Sequence, residues 1–133
     1  MFRLKISLLL LRYGIALVFI VWSLDKLLNT TRTKEFYPGL SLDTTVVMGM
    51  LEIILVLAFL LGLYKSYSYA IVLIMHTVST FLPWQYYLQP FIAKTNLLYF
   101  TAWPMLAACI AIYLLRQQDT LLTISHFRSI LRR

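Results

Sequence analysis

The chain has little charge and few of the residues that a soluble protein keeps on its surface. Of its 133 residues only 13% are charged and five are acidic, whereas about 25% charged residues are usual for a soluble domain. The hydrophobic fraction is 61%, against about 45–50% in such domains. A soluble domain of this length could not bury so much apolar surface, so the composition argues against a soluble enzyme, a disordered chain and a secreted disulfide module.

Cysteine is almost absent, and its scarcity removes two further classes of function. Cys109 is the single cysteine in the sequence. A disulfide relay needs two thiols that can pair, and a cysteine-based metal cluster needs several. We therefore expect no metal site and no intrinsic cofactor.

What the sequence does contain is four long apolar stretches, at about 6–28, 45–64, 68–82 and 96–115. A bilayer is crossed by about 20 helical residues, and only helices satisfy all their backbone hydrogen bonds in lipid. The sequence thus predicts an all-α integral membrane protein, an up-down-up-down four-helix bundle over residues 1–118. Pro104, inside the fourth stretch, is expected to kink that helix.

The basic residues predict the orientation. With the N-terminus in the cytoplasm, seven Lys and Arg residues lie on the inner side and four on the outer side, with Arg12 left out because it lies inside a span. The positive-inside rule then places both termini in the cytoplasm. The net charge of +7 is explained by these flanks and indicates no nucleic-acid partner.

The segments outside the spans have two distinct patterns. Residues 29–44 contain the turn signal Pro38-Gly39, and the aromatic-rich residues 83–95 are expected at the outer interface or dipping into it. In residues 119–133, apolar side chains recur every three or four positions among basic ones. This pattern predicts a short basic amphipathic helix on the inner leaflet, with a docking helix for a partner protein as the alternative.

Four ionisable residues fall within the apolar stretches, where charge is costly: Arg12, Lys26, Glu52 and His76. At 1.5 Å of rise per residue, Lys26 lies ~3 Å, Glu52 ~10 Å and Arg12 ~24 Å from the outer ends of their helices. The depths predict an ion pair between Lys26 and Glu52, with Trp103 of the fourth helix at a similar level. Arg12 is too deep to reach Glu52, so we expect it to anchor the topology by extending inward or bonding Tyr64 or nearby carbonyls.

Each of these residues has a structural and a functional interpretation. The Lys26–Glu52 pair could only fix helix packing, or it could form a pocket for quinone or lipid with His76 and Trp103, in which Glu52 transfers protons. His76 is a packing residue or a ligand. A haem held by two histidines is disfavoured because the other histidine, His126, lies in the tail, although Met75 or a partner subunit stays open.

Short motifs along the first half of the chain resemble the DoxX-like family of small four-helix membrane proteins. They are Arg-Tyr-Gly at 12–14, Trp-Ser-Leu-Asp-Lys-Leu at 22–27, Phe-Tyr-Pro at 36–38, Met-Leu-Glu at 50–52 and Leu-Gly-Leu-Tyr at 61–64. The resemblance covers about residues 12–80, and Ser23 stands where the family usually has glycine. It implies a four-helix membrane fold in which Arg12, Lys26 and Glu52 are the characteristic polar residues.

The resemblance also implies a function. Members of the family include a subunit of thiosulfate:quinone oxidoreductase and accessory membrane partners of redox enzymes. We therefore expect a non-catalytic subunit or accessory protein of a quinone-linked redox complex in a bacterial or archaeal cytoplasmic membrane. A quinone-reducing subunit is the first alternative. A small-solute carrier is the second, although four helices without paired broken segments make a poor transport path.

Overall fold

A computed structural model describes residues 1–31, 39 and 41–124, with the backbone alone at 94 and 95. The longer helices are α1 (Phe2–Leu28), α2 (Leu42–Leu60), α3 (Lys65–Phe81) and α6 (Ala102–Leu114). Two short ones, α4 (Trp84–Tyr87) and α5 (Lys94–Tyr99), lie between α3 and α6. No strand occurs in the described residues, so the predicted all-α class is confirmed.

The four longer helices contact one another in chain order and close a ring, because α6 also packs against α1. Lys26, near the end of α1, pairs with Glu52 in α2, whereas Arg12, earlier in α1, has Nη1 3.5 Å from where a Cβ on Gly62 would be, past the end of α2. Helices α1 and α2 therefore run in opposite directions. The side chain of His76, late in α3, meets the carbonyl of Ala102 at the start of α6. Neighbouring helices therefore alternate in direction around the ring.

Within the described residues, three segments are long and apolar enough to cross a membrane: Phe2–Leu28, Leu42–Leu60 and Asn96–Leu114. The chain is thus a multi-pass membrane protein by the length and composition of its helices. The third predicted stretch corresponds to α3, which has 17 residues. At 1.5 Å per residue α3 is about 25 Å long, a little short of the roughly 30 Å apolar layer.

Helix α2 ends four residues before the predicted boundary at 64. The reason is the backbone of the following turn, where Gly62 and Tyr64 have φ values of +63° and +43°. A left-handed glycine commonly terminates a helix, and the left-handed Tyr64 then starts α3. The turn between α2 and α3 is therefore tight, and it leaves the Tyr64 ring 82% exposed.

The fourth stretch is interrupted, whereas the sequence predicted one kinked helix. Helix α5 ends at Tyr99, and α6 begins at Ala102. Pro104 occupies the first turn of α6, where its missing N–H is tolerated. Because Pro104 cannot donate to the Phe100 carbonyl, that oxygen instead accepts from the Trp103 N–H at 3.3 Å.

Alongside an apolar core, the helices bury several polar side chains and expose many large apolar ones, unlike those of a soluble protein. The buried face of α1 includes Arg12 and Ser23, and that of α3 includes Ser68, His76 and Thr80. Large aliphatic and aromatic side chains point outward, among them Leu10, Leu17, Trp22, Ile54, Ile74 and Val78. Such a surface is stable where lipid or another apolar surface covers it.

The segment after α6 differs from the predicted amphipathic helix where it is described. Residues 119–123 are not helical, with a turn at 121 and 122, and helix is present only at residue 124. Asp119 and Thr123 are fully buried, whereas the surface helix would have left its polar side chains exposed. Residues 125–133 of the predicted helix lie outside the described residues, as does most of the predicted 29–44 loop.

Candidate functional site

Two groups of polar side chains lie between the helices, and each contains an ion pair. The first, the Glu52 cluster, consists of Ser23, Lys26 and Glu52. The Lys26 Nζ donates to Glu52 Oε1, and the Ser23 hydroxyl donates to Glu52 Oε2 at 3.0 Å. Both charged side chains are 14% exposed. Each oxygen of the carboxylate thus has a donor, while the pair stays reachable from outside.

Close approach of α1 and α2 positions the Glu52 cluster. A Cβ on Gly49 would lie 3.0 Å from Leu27 Cδ2 and 3.3 Å from the Ser23 carbonyl oxygen. Small residues permit such close contacts between membrane helices. Since Glu52 lies three residues after Gly49, the same contact brings its carboxylate against α1.

The other two residues of the predicted pocket have different partners. His76 Nε2 lies 3.0 Å from the carbonyl oxygen of Ala102, and its ring meets the edge of Phe19. Trp103 packs against Phe81 and Tyr87, with ring centroids 5.5 Å and 5.9 Å away. The structure therefore brings Lys26 and Glu52 together. His76 instead connects α3 to α6 and packs against α1, and Trp103 packs against the last residues of α3 and α4.

The second group, the Arg12 cluster, consists of Arg12, Tyr69 and Asp119. Arg12 Nη1 lies 2.9 Å from Asp119 Oδ2, and the Tyr69 hydroxyl donates to the same oxygen at 2.6 Å. Both charged side chains are fully buried. Arg12 Nη2 also donates to the carbonyls of Leu121 and Leu122, the latter at 3.3 Å. The guanidinium therefore faces the interior and is bonded to protein groups rather than extended toward water.

A segment that we call the strap, residues 117–124, completes the Arg12 cluster. The Asp119 carbonyl accepts from Lys65 Nζ, and the Ile124 N–H donates to the Leu61 carbonyl at 3.1 Å. Thr123 lies directly over Gly62, where a Cβ would be 2.7 Å from the threonine Cγ2. The strap is thus fixed to α1, α3 and the α2–α3 turn. Even so, Arg12 Nε and Asp119 Oδ1 have no hydrogen-bond partner among the described residues.

The sequence analysis did not pair Arg12 with Asp119, because the periodicity of 119–133 assigned Asp119 to a surface helix. One signal was present in the sequence. Asp119 is the one acidic residue after Glu52, and Arg12 is the deepest cation without a partner at its own level. The rule that charges in the membrane interior occur in pairs would have suggested the match.

In the residues that the structure describes, no group of three or more His, Cys, Asp or Glu side chains could hold a metal ion. Comparisons of the chain with protein-family models, with curated proteins and with solved structures find no match.

Proposed function

We propose that α3 is a fourth membrane span and that both termini are cytoplasmic. Two observations support this proposal. Neighbouring helices run in opposite directions around the ring. If both ends of α3 were on the same side of the membrane, α3 could not pack along α2 and α6 as it does. The sequence also has no charged residue from 66 to 93, and the 7-to-4 distribution of basic residues favours a cytoplasmic N-terminus.

Sided labelling of single cysteines tests this topology. In a Cys109→Ala background, Ser66→Cys in the first turn of α3 should react only from the cytoplasmic side. Gln85→Cys, beyond α3, should react only from the opposite side; both positions are exposed. Reaction of both positions from the same side would show that α3 does not cross the membrane.

We further propose that the protein is a non-catalytic subunit of a quinone-linked redox complex. The observation that carries the accessory role is that both ion pairs among the described residues are internal to the chain while the outer surface of the helices is apolar. Arg12 with Asp119 and Lys26 with Glu52 connect parts of this chain. The protein then presents an apolar surface on which other membrane helices can pack. The redox assignment rests on the DoxX-like resemblance.

Purification of the tagged chain in mild detergent from its own host tests this role. We expect it to migrate on native gels well above the 15.5 kDa monomer, together with subunits of a redox enzyme. Membranes depleted of the chain should show less quinone reduction by that enzyme. A free monomer in every detergent, with unchanged quinone reduction after depletion, would contradict the proposal.

A quinone-reducing role is the alternative, and one observation favours it. Unlike the Arg12 cluster, the Glu52 cluster is partly exposed, so a quinone in the membrane could approach a carboxylate that accepts or donates protons. Glu52→Gln should then abolish quinone reduction by the assembled complex. Asp43→Asn, at an exposed acid in the first turn of the same helix, is the matched control. An unchanged rate in Glu52→Gln would eliminate proton transfer by Glu52.

A further inference from the structure

An open pocket of about 210 Å³ lies where the first turns of α1 meet the strap, and none of the four ion-paired residues lines it. One wall is formed by α1 and the other by the beginning of the strap. The residues lining it are Met1, Leu4, Lys5, Gln117, Gln118 and Thr120.

The polar side chains of this pocket are suited to an anion. Lys5 carries a positive charge, Gln117 and Gln118 carry amide N–H donors, and Thr120 carries a hydroxyl. Among the described residues, no hydrogen bond or ion pair uses these four side chains. None of the described acidic residues lines the pocket. The one carboxylate on this part of the strap, Asp119, is bonded to Arg12 and Tyr69 instead.

The pocket lies at the level of the lipid headgroups. The apolar stretch of α1 begins at Ile6, immediately after Lys5, and the stretch that contains α6 ends at Leu115, just before Gln117. Leu4 and Met1 add apolar surface at its edge, 40% and 99% exposed. A ligand there would have its charged group against the donors and apolar chains beside the helices. Phospholipids have this arrangement.

The wall formed by the strap is held in place by the Arg12 cluster. Asp119 lies between Gln118 and Thr120, and both its carboxylate and its carbonyl are bonded to other elements. The strap backbone that carries Gln118 and Thr120 is therefore held in place on the side opposite Lys5. This prior fixation lowers the entropic cost of binding.

We propose that this pocket binds the phosphate of an anionic phospholipid, with Lys5 as the charged contact and the strap supplying neutral donors. The proposal depends on the membrane placement of the helices and is independent of the redox role. If the termini are cytoplasmic, the site faces the leaflet rich in anionic lipids.

Native mass spectrometry of the delipidated full chain, titrated with phosphatidylglycerol or phosphatidylcholine, tests the proposal. We expect phosphatidylglycerol to bind first and more tightly. Lys5→Gln should weaken its binding about tenfold, the effect of losing one charge-assisted hydrogen bond. Arg3→Gln removes an equal, exposed charge two residues away that does not line the pocket, and should change binding less than about twofold.

Three results would overturn the proposal. Equal binding of the two lipids would show that the phosphate charge is not selected. Equal losses in Lys5→Gln and Arg3→Gln would show attraction by the general positive charge of this end. Displacement of phosphatidylglycerol by inorganic phosphate at equal concentration would show a site for soluble phosphate. Helix content measured by circular dichroism shows whether a variant has unfolded. The double variant Gln117→Ala with Gln118→Ala tests the other wall of the pocket independently and should also weaken phosphatidylglycerol binding.

Discussion

The Glu52 cluster and the Arg12 cluster each place an ion pair between helices, but they differ in burial and in what they connect. The Glu52 cluster joins α1 to α2 alone, and its charges are 14% exposed. The Arg12 cluster joins α1 to α3 and to the strap, and its charges are fully buried. A partly exposed carboxylate can exchange protons or meet a ligand. A buried one with several fixed partners instead determines where chain segments lie.

This difference predicts that disrupting the Arg12 cluster lowers the free energy of unfolding more than disrupting the Glu52 cluster does. Removing one member of a fully buried ion pair leaves an uncompensated charge in a medium of low polarity, whereas a charge near the surface can be solvated. The following substitutions, ordered by expected effect, can confirm or reverse that order.

Asp119→Ala should have the largest effect, because it leaves Arg12 buried without its counter-ion. We expect the free energy of unfolding to fall by about 3–5 kcal/mol. Chemical denaturation in detergent micelles measures it, with the exposed Asp43→Ala as a control that changes little. The double variant Arg12→Leu with Asp119→Leu should regain part of the loss. A cost for Asp119→Ala no larger than that of Asp43→Ala would contradict the structural role of the Arg12 cluster.

One glycine lies beside each cluster, and replacing each with alanine compares how much stability depends on the backbone there. Gly62→Ala forces a side chain into a left-handed backbone and within 2.7 Å of Thr123, so we expect a loss of about 1–3 kcal/mol. Gly49→Ala, beside the Glu52 cluster, adds a methyl 3.0 Å from the end of the Leu27 side chain and 3.3 Å from the Ser23 carbonyl oxygen, but its backbone is helical and it gains helix propensity. Its net cost should stay below about 1 kcal/mol.

Thermal unfolding of the two glycine variants, followed by circular dichroism, measures this difference. An equal or greater loss in Gly49→Ala would mean that the α1–α2 contact, rather than the strap, limits stability.

Lys26→Met should have a much smaller effect than Asp119→Ala. It keeps the apolar stem of the lysine and removes its charge, while Ser23 still donates to the partly exposed Glu52. We expect a loss of about 1 kcal/mol, between the values for exposed and buried pairs. The same denaturation assay measures it. A loss as large as that of Asp119→Ala would show that the Glu52 carboxylate is solvated far less than its exposure indicates.

Whether the sequence predicts a contact in this protein depends on whether the two residues can be related by helix geometry or lie in segments whose relative position only the folded structure shows. Lys26 and Glu52 could be matched because both lie on apolar helices whose depths follow from the helical rise. The three long apolar helices follow from hydropathy in the same way. Helix boundaries that depend on the local backbone were harder to predict: the left-handed Gly62 shortens α2, and Pro104 separates α5 from α6. Arg12 and Asp119 are 107 residues apart, and no local periodicity relates them.

The separation of Arg12 from Asp119 has a consequence for the order of events during synthesis. When α1 enters the membrane Arg12 has no counter-ion, and it stays so while α2, α3 and α6 are made. Only when the strap leaves the ribosome can Asp119 neutralise Arg12 and Ile124 bond to the α2–α3 turn. The Arg12 cluster is therefore completed only after all four of the longer helices have been made. A product that stops before residue 119 leaves the Arg12 guanidinium in apolar surroundings without its counter-ion.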